Sequence, residues 1–527
     1  MLALPFGWTT NKWLLVIGNT VIGIACIALS FTAVWPLSLT DFLFFSFVLF
    51  LAALYRPGWM FLLLIGMLPY EIINVAPIEL GLTLRPYQWL LVLITLALFL
   101  RIVLKRFPLE KFVPNKWDVA LLIFGLGAIL SASFSTVPKE TFRLTIILFS
   151  FLLLYFICRL FVRSVDDART LLPFLFSSFF VISIFAIIQN ILFLSGKESL
   201  EIMAGRPNAT FPEADWLGGY LAMLLTASVS LIVSPYLLSA YASIKKTRFV
   251  LSCFIFFGMI ALLLTVSRSA WLATFCGVLT AFLLFAWQRG IFDALYWENR
   301  QVLKRAFAVA LFVVGPSFLA IMSVFFFQLT PFDLWDRSKS LSSGLQKITI
   351  ACEQETILPE HIATVEDLIP YDCFHIRLEE REEKRAEGMY VTEIFRNDPN
   401  VHLRGDIYKE TITLLKTHWF LGIGFGAIGN YLGTDERGAK LNASNLFLEI
   451  WLGAGSIGCI AFLFFIISTG WYAIKNTFSS HAPLALTLTA LWVSSMVFNL
   501  FNAGLFLGWL FLLFALFVII IEHPYGK

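Results

Sequence analysis

The chain has 527 residues, of which 59% are hydrophobic and 16% aromatic, with only 14% charged and a formal net charge of +3. A soluble globular protein of this size needs a far more polar surface, so that class is excluded. Continuous apolar runs of about 20 residues, the bilayer-spanning length, recur along nearly the whole sequence, and their lack of dyad alternation excludes a transmembrane barrel.

In chain order, the first run begins at Trp13 behind a single Lys, with no small-residue cleavage site clear of the next span, and reads as a retained helix rather than a removed signal peptide. Spans are predicted at roughly 13–35, 39–55, 58–77, 86–105, 117–135, 142–162, 168–194, 214–236, 248–266, 269–287, 304–329, 446–472, 481–501 and 504–522. The second and third, and the last two, have very short connections, so helix pairs or a re-entrant hairpin can replace them. The expectation is an all-α polytopic membrane protein with about 14 (12–14) transmembrane helices. Residues 1–329 carry helices 1–11, 330–445 form a large extracytoplasmic, partly helical loop domain, and 446–527 carry helices 12–14.

Basic residues set the orientation. With the N-terminus in the cytoplasm, the cytoplasmic side receives Arg101, Lys105, Arg106, Lys111 and Lys116, then Arg159, Arg163 and Arg169, then Lys245, Lys246 and Arg248, then Arg289, Arg300, Lys304 and Arg305. The short outer loops keep Arg85, Lys139, Arg143, Lys197, Arg206 and Arg268. Both termini are then cytoplasmic. The polar segment 330–445 falls outside; it holds 13 Lys/Arg and 19 Asp/Glu, net acidic by six against a remainder net basic by nine. Its two cysteines, Cys352 and Cys373, lie on the oxidising side, where a disulfide can form. The other five cysteines fall in apolar spans and read as core packing. "LEEREEKRAEG" (378–388) reads as a charge-laced, solvated helix.

The stretch "TVSRSAW" (265–271) interrupts two bilayer-length runs. Arginine at a membrane end can snorkel to the headgroups. Arg268, however, lies on the side that positive charge avoids, between the hydroxyls of Ser267 and Ser269, in a tight hairpin. A guanidinium fixed there is suited to a bidentate grip on phosphate.

This stretch resembles the Arg-bearing hairpin of the O-antigen ligase / O-antigen polymerase superfamily. The family's "R-x-x-G-T-F-x-x-P-N-x-x-A" element is similar to "RPNATFPEADWLGGYLAM" (206–223). Its Arg-bearing helix and Gly-rich turn are similar to "RGDIYKETITLLKTHWFLGIGFG" (404–426), and its "HN-x-x-L" helix to "NASNLFLEIWLGAGSIG" (442–458). The ordered set covers the chain from about residue 120 onward and does not separate ligase from polymerase.

The resemblance implies a metal-independent, cofactor-free glycosyltransferase of the envelope. Its implied donor is a polyprenyl diphosphate-linked glycan and its acceptor a lipid, glycan or protein, among membrane lipids at the outer face of the bacterial plasma membrane, with no nucleic-acid partner. Arg268 carries over as the diphosphate grip, with Arg206 and Arg404 at weaker family positions. Arg206 can equally cap a loop, and Arg404 can equally dock its helix. Where the family has His before Asn445, this chain has Ser444, which is no base at neutral pH unaided. Glu449, His418, Glu213 and Asp215 are the replacement candidates, and Glu449 is the expected one, sharing a helical face with Asn445. An ideal helix separates Arg404 from His418 by about 21 Å.

"GIGFG" has no strand–helix unit around it and is no dinucleotide fingerprint. Six scattered histidines make no metal site. "NAT" (208–210) and "NAS" (442–444) read as sequons only in a glycosylating host, and Glu71 in the third span can face a cavity or make a structural hydrogen bond. A transporter is disfavoured by the lack of internal repeats, the few intramembrane charges and the concentration of polar residues in one outer segment. A non-catalytic assembly scaffold is the reading that the missing His favours.

Overall fold

The structure, a computed structural model, describes residues 10–32, 34–106, 113–234, 244–288, 300–332, 334, 345–376, 380–397, 399–434, 438, 440–480 and 483–522. Lys111 and Arg289 of the cytoplasmic set, and residues 378–379 of the charged helix, lie outside these.

Among the described residues, eleven α-helices precede the polar segment: α1 (Thr10–Ser30), α2 (Leu39–Tyr55), α3 (Pro57–Met67), α4 (Pro86–Val103), α5 (Lys116–Ser133), α6 (Pro138–Phe161), α7 (Val165–Leu194), α8 (Ala214–Val233), α9 (Ile244–Leu264), α10 (Arg268–Gln288) and α11 (Arg300–Phe326). Within the polar segment lie strands β1 (Leu345–Cys352), β2 (His361–Ile362), β3 (Cys373–His375) and β4 (Tyr390–Asn397), and helices α12 (Arg381–Ala386), α13 (Pro399–His418) and α14 (Ile428–Leu432). Then follow α15 (Leu446–Ser480), α16 (Pro483–Leu500) and α17 (Gly508–Glu522). Among the described residues, ten helices are long and apolar enough to cross a membrane, and α2, α3, α16 and α17 are shorter apolar helices. The chain is therefore an all-α polytopic membrane protein carrying a polar domain between α11 and α15.

Several ends differ from the sequence expectation. The helix α3 stops at Met67 rather than continuing to residue 77, so Glu71 lies in the segment that follows. Eleven residues span about 16 Å, roughly half of a hydrocarbon core. Non-helical backbone at such depth survives only where protein surrounds it. Here Tyr70, Glu71, Ile73 and Val75 are buried, and the amides of Glu71 and Ile72 donate to the Thr210 carbonyl at 2.9 and 3.0 Å. The Glu71 carboxylate makes a structural bond: it pairs with Arg85 at 2.6 Å and accepts from Tyr87 Oη and the Gly508 amide, both at 3.1 Å.

The polar domain contains a four-stranded sheet in the order β2-β4-β1-β3, which the sequence analysis did not anticipate. The strand β1 lies antiparallel to β4 along its whole length and antiparallel to β3, while β2 pairs parallel to β4. Cys352 and Cys373 face each other in register across β1 and β3 and form a disulfide inside the small core of Ile348, Ile350, Ile362, Leu368 and Ile394.

The helix ends gather at two poles. At one, Arg159 near the end of α6 bonds Asp118 at the start of α5 and Glu522 at the end of α17, while Arg101 near the end of α4 donates to Leu54 O near the end of α2 at 2.9 Å. At the other lie the segments 68–85, 195–213, 265–267 and 500–507 and the start of α15.

Candidate functional site

The second pole is built first from the segment between α7 and α8. Asn208, Ala209, Thr210 and Phe211 are buried. The Asn208 side chain accepts from the Ile202 amide at 3.2 Å and donates to Phe211 O at 2.6 Å, Gln189 accepts from the Ala209 amide at 2.7 Å, and Thr210 Oγ donates to Pro69 O at 2.6 Å. A loop whose polar groups are so fully matched is rigid, and burial at 1% leaves the Asn208 sequon out of reach of a modifying enzyme. This loop fixes Arg206. Its Nε donates to Thr265 O at 3.0 Å and its Nη2 to Asp215 Oδ1 at 3.1 Å. Arg206 thus joins the "TVSRS" hairpin to the first turn of α8.

Two glycines make that junction tight. A Cβ on Gly218 would meet the Ala270 Cβ at 2.8 Å, and one on Gly219 would meet the Phe498 ring at 2.5 Å. Small residues let α8, α10 and α16 approach closely just inside Asp215. In the hairpin, Thr265 and Ser267 are buried, and Arg268 is the half-buried first residue of α10. Ser269 Oγ accepts from Asn502 Nδ2 at 2.9 Å, which ties the hairpin to the segment after α16. The Asp215 carboxylate is a hub: it pairs with Arg206, takes a hydrogen bond from Ser267 and feels the charge of Arg404.

Arg404 comes from α13, in the polar domain. Its guanidinium lies 6.0 Å from the Phe501 ring centroid, close enough for a cation–π contact. One turn on, Tyr408 Oη donates to Ser444 O at 3.3 Å. Ser444 has φ +50, and its amide donates to Asn442 Oδ1 at 2.9 Å. Asn445 caps α15, accepting from the Phe447 and Leu448 amides at 2.9 and 3.2 Å, and its Nδ2 donates to Leu500 O at 3.0 Å. Glu449 is buried, and its Oε2 accepts from the Ala443 amide at 2.8 Å, folding the "NAS" turn back onto α15.

The other end of α13 is held separately. The helix runs unbroken to His418, so about 21 Å of axis separates that residue from Arg404. His418 Nδ1 lies 2.8 Å from Thr417 Oγ, and its ring contacts that of Tyr431. The Gly-rich turn beyond it docks into a break in α15. Gly455 has φ +65, which opens the helix there. The freed Leu452 carbonyl accepts from the Ile423 and Gly424 amides at 2.7 and 3.1 Å, and the Ser456 amide donates to Phe420 O at 2.9 Å. The turn thereby satisfies the backbone groups that the break exposes.

Arg206, Asp215, Ser267, Arg268, Arg404, Ser444 and Asn445 therefore belong to one connected pole, and His418 lies apart from it. Glu213 immediately precedes α8. Residues 500–502 also belong to the pole and lie outside the set expected from the sequence. Leu500 contributes a backbone carbonyl, Phe501 a ring face and Asn502 an amide; the Asn502 amide, in a "FNAG" break between apolar runs, is the one feature that could have marked it. Among the described residues, no three His, Cys, Asp or Glu side chains group closely enough to hold a metal ion.

Residues 251–463 match the family model described as O-Antigen ligase. That span runs from α9 through the Arg268 hairpin and the polar domain to the broken helix α15. No curated protein matches the chain.

Proposed function

We propose, on the premise that this family match supports the O-antigen ligase/polymerase superfamily and with it an O-antigen ligase-like membrane enzyme of the cell envelope, that the chain moves a glycan from a polyprenyl diphosphate carrier to an acceptor hydroxyl at the outer face of a bacterial plasma membrane. One observation carries the reading. Arg206, which pairs with the Asp215 carboxylate, and Arg404, whose charge reaches the same carboxylate from the polar domain, lie next to the hairpin that presents Arg268. Guanidiniums match phosphate oxygens in geometry and keep their charge at any physiological pH. A glycosyl diphosphate needs little more: the acceptor oxygen attacks the anomeric carbon, the bond to the diphosphate breaks, and positive charge held in place stabilises the leaving group. Three arginines supply that charge without a metal ion. The acceptor hydroxyl is carried by a lipid, a glycan or a protein that reaches the pole beside Ser444 and Asn445.

The outer placement is supported by the excess of Lys and Arg at the opposite pole and by the Cys352–Cys373 disulfide, which belongs to an oxidising compartment. Both termini are then cytoplasmic. An impermeant thiol reagent should label single-Cys variants within 345–397 in intact cells; labelling only after lysis would reverse the orientation. The transfer itself is tested in proteoliposomes with a purified polyprenyl diphosphate glycan. Arg268→Ala, inserted and folded, should transfer nothing measurable, and a wild-type rate in that variant would remove the diphosphate assignment.

A further inference from the structure

We infer that Asp215 accepts the proton of the attacking hydroxyl, and that before the donor binds its carboxylate holds the place of the diphosphate beside Arg206. The inference rests on the donor reading above and adds to it the identity of the base.

Three observations meet at this residue. First, the resting Arg206 already holds an anion of the protein's own, with Asp215 Oδ1 3.1 Å from its Nη2, and the charge of Arg404 reaches the same carboxylate. A diphosphate that binds Arg206 competes directly with that carboxylate. Second, Asp215 is reachable: 36% of its side chain is exposed, while its backbone is fixed in the first turn of α8 above the close contacts of Gly218 and Gly219. The carboxylate can swing without moving the helix. Glu449 differs on both counts, being buried and bonded to the Ala443 amide. Third, two departures from the resembled pattern complement each other. Counting from Thr210 and Phe211, Asp215 occupies the Asn of "T-F-x-x-P-N", and Ser444 occupies the His. The chain lacks the imidazole and carries an additional carboxylate at the same pole.

The chemistry follows in order. The arriving diphosphate takes over the Arg206 contact and releases Asp215 beside it. A carboxylate next to a diphosphate takes up a proton more readily than one paired with an arginine. The acceptor oxygen forms its bond to the anomeric carbon, and the carbon–oxygen bond to the diphosphate breaks with its electron pair staying on the diphosphate. The hydroxyl proton passes to Asp215 and from there to water. The restored carboxylate then competes again for Arg206 and helps to expel the polyprenyl diphosphate.

The test measures binding and transfer separately, on the full chain in liposomes. Binding is read with glycan-free polyprenyl diphosphate, and transfer with the glycan-loaded carrier. Asp215→Asn should bind the carrier as well as wild type or up to about tenfold more tightly, because the competing charge is gone. Its transfer should fall by about 10²–10⁴-fold, the usual worth of a general base. Asp215→Glu should recover part of the rate. Adding Ser444→His to Asp215→Asn should recover at least tenfold, and the left-handed φ of residue 444 suits His among non-glycine residues. Transfer by Asp215→Asn within threefold of wild type overturns the assignment and leaves the donor reading intact. Parallel loss of carrier binding and transfer also overturns it, making Asp215 a support for the arginines. Failure of the wild type to bind polyprenyl diphosphate removes the donor reading, and this inference with it.

Discussion

The two poles of the membrane domain each hold an ionic cluster, and the clusters are built differently. At the basic pole, the one guanidinium of Arg159 sits between two carboxylates: Asp118 at 3.1 Å and Glu522 at 2.5 Å. Tyr155 Oη donates to Asp118 at 2.6 Å, and Asn115 Nδ2 donates to Glu522 at 2.6 Å. The arginine and Asp118 are almost wholly buried. At the site pole the Asp215 carboxylate pairs with the Arg206 guanidinium at 3.1 Å within the field of Arg404, and Arg268 follows the serine that bonds it. Burial does not distinguish the clusters, since Arg206 is nearly as enclosed as Arg159. The arrangement of the charges does. One arginine held between two hydrogen-bonded carboxylates is a clamp between α5, α6 and α17, whereas a partly exposed carboxylate paired with Arg206 in the field of Arg404 is arranged to give way to an anion from outside.

The contrast breaks first on function. Arg268→Ala and Arg404→Ala should each lower glycan transfer by 10³-fold or more, given about 10²–10³ for one preorganised donor to a developing charge and the carrier binding lost with it. Arg268→Lys should recover only part of this, because an ammonium cannot reproduce the guanidinium fork. Thermal unfolding in detergent should barely change in any of the three. Arg159→Ala should do the reverse. Removing one partner of a buried ion pair leaves an uncompensated charge at a penalty of about 3–5 kcal/mol, so unfolding should come at markedly lower temperature while transfer per folded molecule is kept. Normal stability in Arg159→Ala, or normal transfer in Arg404→Ala, would erase the distinction between clamp and site.

A smaller effect is expected at the joint that fastens α13 to the membrane domain. Gly455 needs a left-handed backbone, and a Cβ there would meet Phe420 O at 2.4 Å. Gly455→Ala should destabilise by about 1–3 kcal/mol, the scale of one strained residue. Because the same joint sets the height of Arg404, carrier binding should weaken several-fold. Proteolysis of the 419–426 turn, faster in the variant than in wild type, would show that the turn has lifted; unchanged cleavage and binding would mean that α13 is held by its other contacts alone.

What the sequence disclosed follows the range of the interactions. Bilayer-length apolar runs are local and were legible as spans, and the short helices α2, α3, α16 and α17 were flagged by the shortness of their connections. The end of α3 has a local signal in Pro69, which lacks an amide hydrogen and disfavours a helical residue before it, but the apolar Leu68 and Tyr70 around it mask that stop, and the path of the segment beyond depends on the distant Thr210 carbonyl, which takes the Glu71 and Ile72 amides. The sheet was not legible because β2 and β3 have two and three residues and exist only through pairing with β4 and β1. Arg268 and its serines announced themselves by chemistry. The approach of Arg404 to the pole that holds Asp215 did not, since nothing local links the first turn of α8 to the second turn of α13.

The smallest expected effect is at Glu449, which the sequence made the natural replacement for the missing imidazole. Its place on one face with Asn445 holds in the helix α15, but its carboxylate is turned back to the Ala443 amide, 2.8 Å away. That bond closes the turn in which Ser444 adopts φ +50 and offers its carbonyl to Tyr408. Gln at 449 keeps an acceptor oxygen on the same stem, so the turn, the Tyr408 contact and the register of α13 should persist. Glu449→Gln should therefore transfer glycan within about threefold of wild type. Glu449→Ala should lose about 1–3 kcal/mol of stability, because the Ala443 amide is then buried without a partner. The pair of variants separates an anchor from a base: the anchor tolerates Gln and suffers from Ala, whereas a base suffers equally from both. A fall of about 10²–10⁴-fold in Glu449→Gln, with carrier binding intact, would move the proton from Asp215 to Glu449 and make the buried carboxylate, not the partly exposed one, the chemical centre of the pole.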